Sequence, residues 1–275
     1  YGVELLLQPH WRDYARCLVN SPAAMQWSTS ANVSGWLPNW DLPIVRLYTS
    51  GSTGTPEPQT KTLGQLARGA LVLGRQLDEE VDGGLSALSS LVCSVPPQHM
   101  FGLETSVKLS LVHGIPVLDR RPLLPSDVMT SFEQVADGAI WIATPLHLRA
   151  LVKTGDNIPN CSVVLASTMA LDPAVAGHTE RQTNAPVLEI YGSTETGVVA
   201  MRRTTRDLNW RPVHGVRIDA SDTGTKVSGT HFPSPQMLTD HIEADTSGDF
   251  KLLGRHGDMI KIAGRRASLA GINLL

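Results

Sequence analysis

Residues 48–56 read "YTSGSTGTP", a stretch in which glycines and small hydroxyl side chains follow a tyrosine. Such residues let successive backbone N–H groups turn toward one point and form an anion-binding concavity that suits a polyphosphate. The phosphate loop of P-loop NTPases ends in Gly-Lys-Ser or Gly-Lys-Thr, whereas Gly54 is followed here by Thr55, Pro56 and Glu57. The stretch therefore predicts a phosphate-binding loop of another kind, with a solvated Ser/Gly linker as the alternative.

Three further stretches follow in order: "PPQHMFG" (96–102), "YGSTETG" (191–197) and "GRHGDMIKIAGRRASL" (254–269). With the loop, they resemble the ordered core motifs of the adenylate-forming superfamily, which includes acyl-CoA synthetases, adenylation domains of peptide synthetases and luciferases. The phrasing around them is most similar to compact acyl- or aryl-AMP ligases of aryl-polyene-type pathways. An unrelated α/β protein would have to carry all four stretches by coincidence.

The resemblance implies a two-step reaction on a fatty or aromatic carboxylic acid. The acid attacks the α-phosphate of ATP, which gives an acyl-adenylate and pyrophosphate, and a thiol then takes the acyl group. The implied cofactors are ATP, Mg²⁺ and either coenzyme A or a phosphopantetheinyl acyl carrier protein. Attack of one anion on another depends on neutralising charge and on in-line positioning more than on an acid or a base.

The resemblance assigns the loop to the β- and γ-phosphates. The residues concerned are Thr49, Ser50, Gly51, Ser52, Thr53 and Gly54. Many relatives carry a lysine after the proline, but the position holds Glu57 here. Because a carboxylate repels phosphate, Glu57 should weaken the stabilisation of pyrophosphate unless Lys61 reaches back and takes the catalytic place of that lysine.

The stretch "YGSTETG" is assigned to the nucleotide. Tyr191 would stack on the adenine, Thr194 would donate to an α-phosphate oxygen, and Glu195 would bind Mg²⁺, with Gly192 and Ser193 completing the loop. An aromatic face suits a base, and a hard carboxylate suits a hard cation. The alternative is that Tyr191 and Glu195 merely decorate a turn.

Five more residues have roles implied by the resemblance. His99 would contact the carboxylate or the adenylate at the mouth of the acyl pocket, unless it is a packed core histidine. Ser167 and Thr168 would face the adenine and the acyl group. Asp240 and Arg255 would hold the ribose, since one carboxylate and one guanidinium match two hydroxyls; Asp240 could also be an ordinary turn residue.

The elements that must position these residues alternate along the chain. Apolar residues recur at helical spacing after Leu63, with Thr60 or Thr62 as a cap, so the loop is expected to lie between the strand "PIVRLY" and a helix. Helices are also predicted at 126–135 and 172–183, the second capped by Asp172. The expected strands are "LSSLVCSV", "GIPVLD", "GAIWIATP", "SVVLAS" and "PVLEIYG", and later "KVSGTHF" and "FKLLG".

This alternation predicts an α/β fold with mostly parallel sheets. We expect a large adenylate-forming N-terminal domain, shortened at its start, at 1–218, a small β-rich subdomain at 219–256, and a hinge with a nearly absent C-terminal domain at 257–275. Gly257 and Gly271 replace the usual acidic residues there, and the family's distal lysine has no counterpart. The chain is therefore expected to be a fragment or a shortened member, and a catalytically impaired ATP- or acyl-binding module is the alternative function.

Composition narrows the class further. The net charge is −3 without a basic run, which argues against a nucleic-acid partner, and no run of about 18 apolar residues predicts a membrane span. The three cysteines, Cys17, Cys93 and Cys161, are few and far apart, which indicates reduced thiols in a cytoplasmic protein.

Overall fold

The computed structural model describes residues 3–5, 39–49, 57–221, 224–255, 259–262 and 265–268. The helices within these residues are α1 (Leu63–Glu80), α2 (Met100–Gly102), α3 (Leu109–His113), α4 (Pro125–Phe132), α5 (Pro145–Thr154) and α6 (Pro173–Thr183). A 3₁₀ turn spans Leu85–Ala87, and a π-helical segment, Leu103–Lys108, joins α2 to α3.

The strands fall into one large sheet and several small ones. The large sheet contains β4 (Ser90–Cys93), β5 (Ala139–Ala143), β6 (Cys161–Ala166), β7 (Val187–Ser193), β8 (Gly197–Arg203) and β9 (Arg211–Pro212). The others are β1 (Val3–Leu5), β2 (Pro43–Thr49), β3 (Glu57–Thr62), β10 (Arg217–Ser221), β11 (Gly224–Ser228), β12 (Gln236–Leu238), β13 (Asp240–Ala244), β14 (Phe250–Arg255), β15 (Met259–Ile262) and β16 (Arg265–Ser268).

The large sheet is parallel where helices separate its strands. β4, β5, β6 and β7 pair in parallel and in that order, and β8 and β9 then add antiparallel strands at the far side. The predicted α/β class is confirmed. The antiparallel β8 follows from the short turn after β7, because three residues are enough for a hairpin but too few for a crossover helix.

Strand β5 shows how both faces of the sheet are covered. All five of its residues are buried, and they alternate between two apolar clusters, with Ile140 and Ile142 in one and Trp141 in the other. The indole N–H of Trp141 donates to Ser94 Oγ at 2.9 Å, and its ring meets Phe132 edge-on at 6.5 Å between centroids. A strand buried on both faces has to read as a continuous apolar run, as "AIWIA" does.

Two predicted helices form nearly as expected. Thr62 caps α1 in a reciprocal pair with Gln65, and Asp172 caps α6 by accepting from the amide of Ala174. The helix expected at 126–135 is Pro125–Phe132 instead. The amide of the distant Asn160 donates to the carbonyls of residues 132 and 135, which satisfies them without a further helical turn.

The strand expected at "GIPVLD" is reduced to one bridge between Leu91 and Val117. Pro116 has no N–H to donate, so pairing is confined to the carbonyl of Pro116 and the amide of Leu118, which both bond Leu91. The segment lies against β4, the first strand of the sheet. Proline is tolerated there because the segment lies at the edge of the sheet, where a missing N–H breaks no ladder between central strands.

The local unit around the small-residue loop differs from the prediction. β2 pairs antiparallel with β3, with Thr49 opposite Glu57, and α1 begins only after β3 ends. A strand of six residues spans about 20 Å, so the N-terminus of α1 lies far along β3 from the loop. The segment that follows the loop is therefore a strand, and the six residues of β3 separate the end of the loop from the start of α1.

The later part of the chain contains short antiparallel sheets. β10, β11 and β12 form one sheet, β13 pairs with β14, and β15 pairs with β16. β10 begins at Arg217, close to the boundary expected between residues 218 and 219, and the domain limits stay a prediction. Among the helices of the described residues, none combines the length and the apolar character that crossing a bilayer would require.

Candidate active site

The carboxyl ends of the parallel strands meet at one edge of the large sheet. Ser167 follows β6, and Gly192 and Ser193 end the neighbouring β7. The hydroxyl of Ser167 donates to the carbonyl of Ile190 on β7 at 2.8 Å, which ties the two strand ends together. In sheets of this kind ligands bind in the crevice outside the carboxyl ends of the strands.

The turn between β7 and β8 carries Thr194 and Glu195, both half-buried. Ser193 and Thr196 brace its base, because the backbone N–H of each residue donates to the other's side-chain oxygen, at 3.1 and 3.3 Å. A Cβ atom on Gly192 would lie 2.1 Å from the carbonyl oxygen of Gly197. The turn can thus close only around a residue without a side chain at position 192.

Tyr191 and Asp240, predicted separately, lie together. The hydroxyl of Tyr191 donates to Asp240 Oδ2 at 2.8 Å. The tyrosine ring packs against Trp210 and Phe250, with centroids 5.6 and 5.9 Å away. Asp240 starts β13, where its backbone pairs with Arg255 of β14. The sheet edge, β13 and β14 therefore bring three of the expected nucleotide-binding residues to one place.

Thr168 has an unusual backbone. Its φ is 86°, in the left-handed region that a β-branched residue rarely adopts, and its side chain is exposed. Such strain costs about 1–3 kcal/mol and is found preferentially at ligand-binding positions. Ser167 and Thr168 thus lie at the expected edge, in a loop whose conformation is imposed by its surroundings.

Lys61 lies beneath the same turn. It is buried on β3, and its ammonium group donates to the backbone carbonyl of Glu195 at 2.5 Å. Burial lowers the pKa of Lys61 to about 8, against the opposing attraction of the Glu104 carboxylate. The expected contact of Lys61 with phosphate stays a prediction, since this structure places its amine on the Glu195 backbone.

The stretch "PPQHMFG" reaches the turn through Met100. A Cβ atom on Gly197 would lie 3.3 Å from Met100 Cε. His99 is exposed and occupies the N-cap position of α2. It is therefore not a packed core histidine, and its contact with the acid or the adenylate stays a prediction.

Several of the predicted site residues lie partly or wholly outside the described structure. Thr49 ends β2 and Arg255 ends β14, but their side chains lie outside the described structure. The same holds for the whole of Ser50, Gly51, Ser52, Thr53 and Gly54. The predicted phosphate contacts therefore stay predictions.

The sequence profile of the family described as "AMP-binding enzyme" matches residues 15–230. This chain belongs to that family. The match covers more than three quarters of the chain, and it includes the turn between β7 and β8 with the strands on either side.

Relatives of the chain include two proteins named 4-coumarate–CoA ligase. The protein from Halorhodospira halophila is 24% identical over 226 residues, which are 80% of this chain and 53% of the relative. The protein from Cereibacter sphaeroides is 26% identical over 224 residues, which are 82% of this chain and 51% of the relative. The chain thus spans about half the length of the curated relatives that it matches.

Solved structures share the fold of this chain. O-succinylbenzoate coenzyme A synthetase (MenE) from Bacillus subtilis, in complex with ATP and a magnesium ion, superposes with a TM-score of 0.70 at 19% identity, covering 82% of this chain and 53% of that one. ATP-bound MatB from Rhodopseudomonas palustris gives 0.65 at 18% identity, covering 81% and 50%. At these identities the likeness concerns the fold.

Two buried acidic residues that support the candidate site were not predicted. Glu189 accepts from the amide of Leu171 at 3.0 Å, just after the Ser167 loop, and forms an ion pair with Arg202. Glu104 forms an ion pair with Lys108 at 2.9 Å below the turn. The signal for Glu189 was available, because a lone carboxylate inside the apolar run "PVLEIYG" has to find a partner.

Proposed function

We propose that the chain is the nucleotide-binding part of an enzyme that activates a carboxylic acid as an acyl-adenylate and passes the acyl group to a thiol. The observation that carries the proposal is the 2.8 Å hydrogen bond from Tyr191 to Asp240 at the carboxyl edge of the parallel sheet. These residues are 49 positions apart in sequence. Their convergence supports a common ligand with an aromatic base and vicinal hydroxyls.

The proposed binding follows from these contacts. Trp210 and Phe250 hold the ring of Tyr191, so the ring can offer a fixed face to adenine without losing further side-chain entropy. Asp240 is oriented by the tyrosine hydroxyl and would accept hydrogen bonds from the ribose. The strained loop at Thr168 would close the other side of the base.

In the proposed first step, a carboxylate oxygen of the acid attacks the α-phosphorus of ATP. The bond from that phosphorus to the bridging oxygen breaks, and pyrophosphate leaves. Thr194 would donate to the oxygens of the α-phosphate, and the amides of residues 49–54 to the leaving pyrophosphate. In the second step a thiol, after losing its proton to solvent, attacks the acyl carbonyl and AMP leaves.

The residues of the turn fit a magnesium ion. Mg²⁺ is usually held by one or two carboxylates together with substrate phosphates. Glu195 offers one half-buried carboxylate at the turn, and within the described ranges no cluster of three or more His, Cys, Asp or Glu side chains forms an all-protein cage. When bound, the cation would neutralise charge on the phosphates.

The acid and the thiol are proposed by class. The two relatives named 4-coumarate–CoA ligase support an aromatic acid and coenzyme A. The sequence resemblance also implies a fatty acid as the alternative substrate and an acyl carrier protein as the alternative thiol acceptor.

The test is exchange of labelled pyrophosphate into ATP, run on the 275-residue chain and on any longer form of the protein that its gene encodes. Acids of the medium-chain, long-chain, hydroxybenzoate and coumarate types are compared. We expect exchange with one class, and its loss in Glu195→Gln by a factor of about 100 or more. The matched control is Glu243→Gln, at an exposed position on β13, which should keep full exchange. No exchange with any acid would refute the proposal.

A second candidate function is an ATP- or acyl-binding module without turnover. Glu57 favours it, because a carboxylate at the position of the usual lysine weakens the stabilisation of pyrophosphate. Saturable ATP binding without exchange by any acid would support this candidate instead.

A further inference from the structure

Three buried charged side chains lie under the turn that carries Glu195. Lys61, Glu104 and Lys108 are each 4% exposed. Lys61 comes from β3, which leaves the small-residue loop, and the other two come from the π-helical segment. Burying an ammonium group is unfavourable unless it is paired and hydrogen-bonded. A third buried charge beside a complete ion pair therefore needs an explanation.

The contacts of these side chains converge on the backbone of the turn. Lys61 Nζ donates to the carbonyl of Glu195 at 2.5 Å. A Cβ atom on Gly197 would lie 2.5 Å from Glu104 Oε1, so this carboxylate presses against the end of the same turn. Glu104 is already paired with Lys108 at 2.9 Å. The direct hydrogen bond of Lys61 thus goes to the backbone of Glu195.

We infer that Lys61 is a positioning residue that fixes the backbone of Glu195 and couples the strand leaving the phosphate loop to the turn bearing the proposed metal-binding carboxylate. This inference rests on the proposed function. Lys61 lies four positions beyond Glu57 on β3. Any shift of that strand when phosphates bind the loop therefore reaches Glu195 through one hydrogen bond.

Removing the amine separates a positioning role from a structural one. In Lys61→Met, Glu104 keeps its partner Lys108, so no buried carboxylate loses its ion pair. The carbonyl of the half-buried Glu195 can take a water molecule in place of the lysine. We therefore expect the variant to melt at or above the wild-type temperature while the turn loses its fixed position.

The experiment compares Lys61→Met with Lys61→Arg, which keeps a charged donor, and with Lys226→Met, the same change at an exposed position of β11. Four quantities are measured: the melting temperature, the affinity for AMP and for metal-free ATP, the Mg²⁺ concentration that half-activates pyrophosphate exchange, and amide hydrogen exchange at residues 193–197.

We expect Lys61→Met to require 10–100 times more Mg²⁺, or to lose kcat by that factor, and to exchange the amides of residues 193–197 faster. AMP affinity should change less than threefold. Lys61→Arg should recover at least part of the loss, and Lys226→Met should match the wild type.

Three outcomes would overturn the inference. If Lys61→Met keeps the wild-type Mg²⁺ dependence and the wild-type rate of amide hydrogen exchange at residues 193–197, the contact positions nothing. A lower melting temperature with parallel loss of every function, repeated in Lys61→Arg, would show a purely structural role. Weaker binding of metal-free ATP with unchanged Mg²⁺ dependence would show that Lys61 acts on the phosphates directly.

Failure of the proposed function has a different signature. If the wild type turns over no acid, the exchange of amides 193–197 in Lys61→Met still decides whether Lys61 holds the turn. If Lys61 holds the turn in a protein that turns over no acid, the positioning role is confirmed and only its link to catalysis is refuted.

Discussion

Glu189 and Glu180 each form an ion pair with an arginine of β8, the first with a buried carboxylate and the second with a partly buried one, and the contacts of the first lead to the proposed nucleotide site. Glu189 is 2% exposed, and it accepts from Arg202 at 2.8 Å, from the hydroxyl of Thr204 at 2.9 Å and from the amide of Leu171 at 3.0 Å. In Glu189→Gln an NH₂ group replaces one carboxylate oxygen. Either orientation of the amide then brings a donor against a donor, at Leu171 or at Arg202.

The size of the effect follows from these contacts. An unpaired buried donor costs about 1–3 kcal/mol, and removing one partner of a buried ion pair costs about 3–5 kcal/mol. Because glutamine keeps one acceptor, we expect a loss of about 2–4 kcal/mol. In a chain of this size that lowers the melting temperature by roughly 5–10 °C.

The loss of the Glu189 carboxylate should affect the proposed nucleotide site by two routes. Leu171 follows the strained loop at Thr168, and the guanidinium of Arg202 lies 4.3 Å from the centroid of Trp210, which packs against Tyr191. Loosening both sides of the proposed adenine site should weaken AMP binding by about 5–10-fold, which corresponds to about 1 kcal/mol.

Glu180→Gln is the matched control. Glu180 pairs with Arg203 at 2.7 Å and also accepts from the amide of Val187, so its loss should lower stability as well. Within the described residues, the hydrogen bonds of Glu180 go to Val187, Arg203 and Thr205 and not to residues 167–171 or Trp210, so the affinity for AMP should stay unchanged. Affinity is measured by calorimetry well below both melting temperatures. Equal loss in both variants, or wild-type affinity in Glu189→Gln, would refute the reasoning.

Two further predictions concern the turn and its support. Gly192→Ala should abolish nucleotide binding and lower the melting temperature, because its Cβ would lie 2.1 Å from a carbonyl oxygen; unchanged AMP affinity would contradict the geometry of the turn. His231 is buried and bonds the carbonyl of Val198, while its Nδ1 has no hydrogen-bond partner within the described structure; burial lowers its pKa below the usual 6.5. The unfolded chain then takes up a proton at this residue as pH falls below 6.5, so stability drops toward pH 5 by up to about 1.4 kcal/mol per pH unit, and a His231→Gln variant with the wild-type pH slope would disprove this.

The sheet could be predicted because its strands are buried on both faces. Continuous apolar runs such as "AIWIA" and "CSVVLA" are typical of central strands of a sheet. The helices that separate them indicate parallel pairing. The strand β3 could not be predicted in the same way. Its sequence, "EPQTKT", contains no apolar residue other than a proline. The segment is a strand because β2 pairs with it and because Lys61 is buried against a turn 134 positions away.

The candidate site was predictable only as a list of residues expected to bind a ligand. Tyr191, Thr194 and Glu195 belong to a recognisable motif, and their types fit a base, a phosphate and a cation. The motif contains no information about Glu104 or Glu189, because their partners are distant in sequence and their roles depend on burial. A charged residue in an apolar run signals that a partner exists, but not which one.

Four of the residues that support the site share one feature, whereas Glu104 pairs with the side chain of Lys108. Each of the four side chains bonds a backbone atom of a neighbouring loop or strand: Lys61 bonds the Glu195 carbonyl, Glu189 the Leu171 amide, Ser167 the Ile190 carbonyl and His231 the Val198 carbonyl. A side chain that faces a ligand cannot also hold its loop in place, so part of the support has to reach the backbone of the loop from residues elsewhere in the chain. Backbone contacts do not depend on the identity of the loop residue. It follows that substrate specificity can change along the loops without loss of the supports, whereas loss of one support should impair every substrate alike.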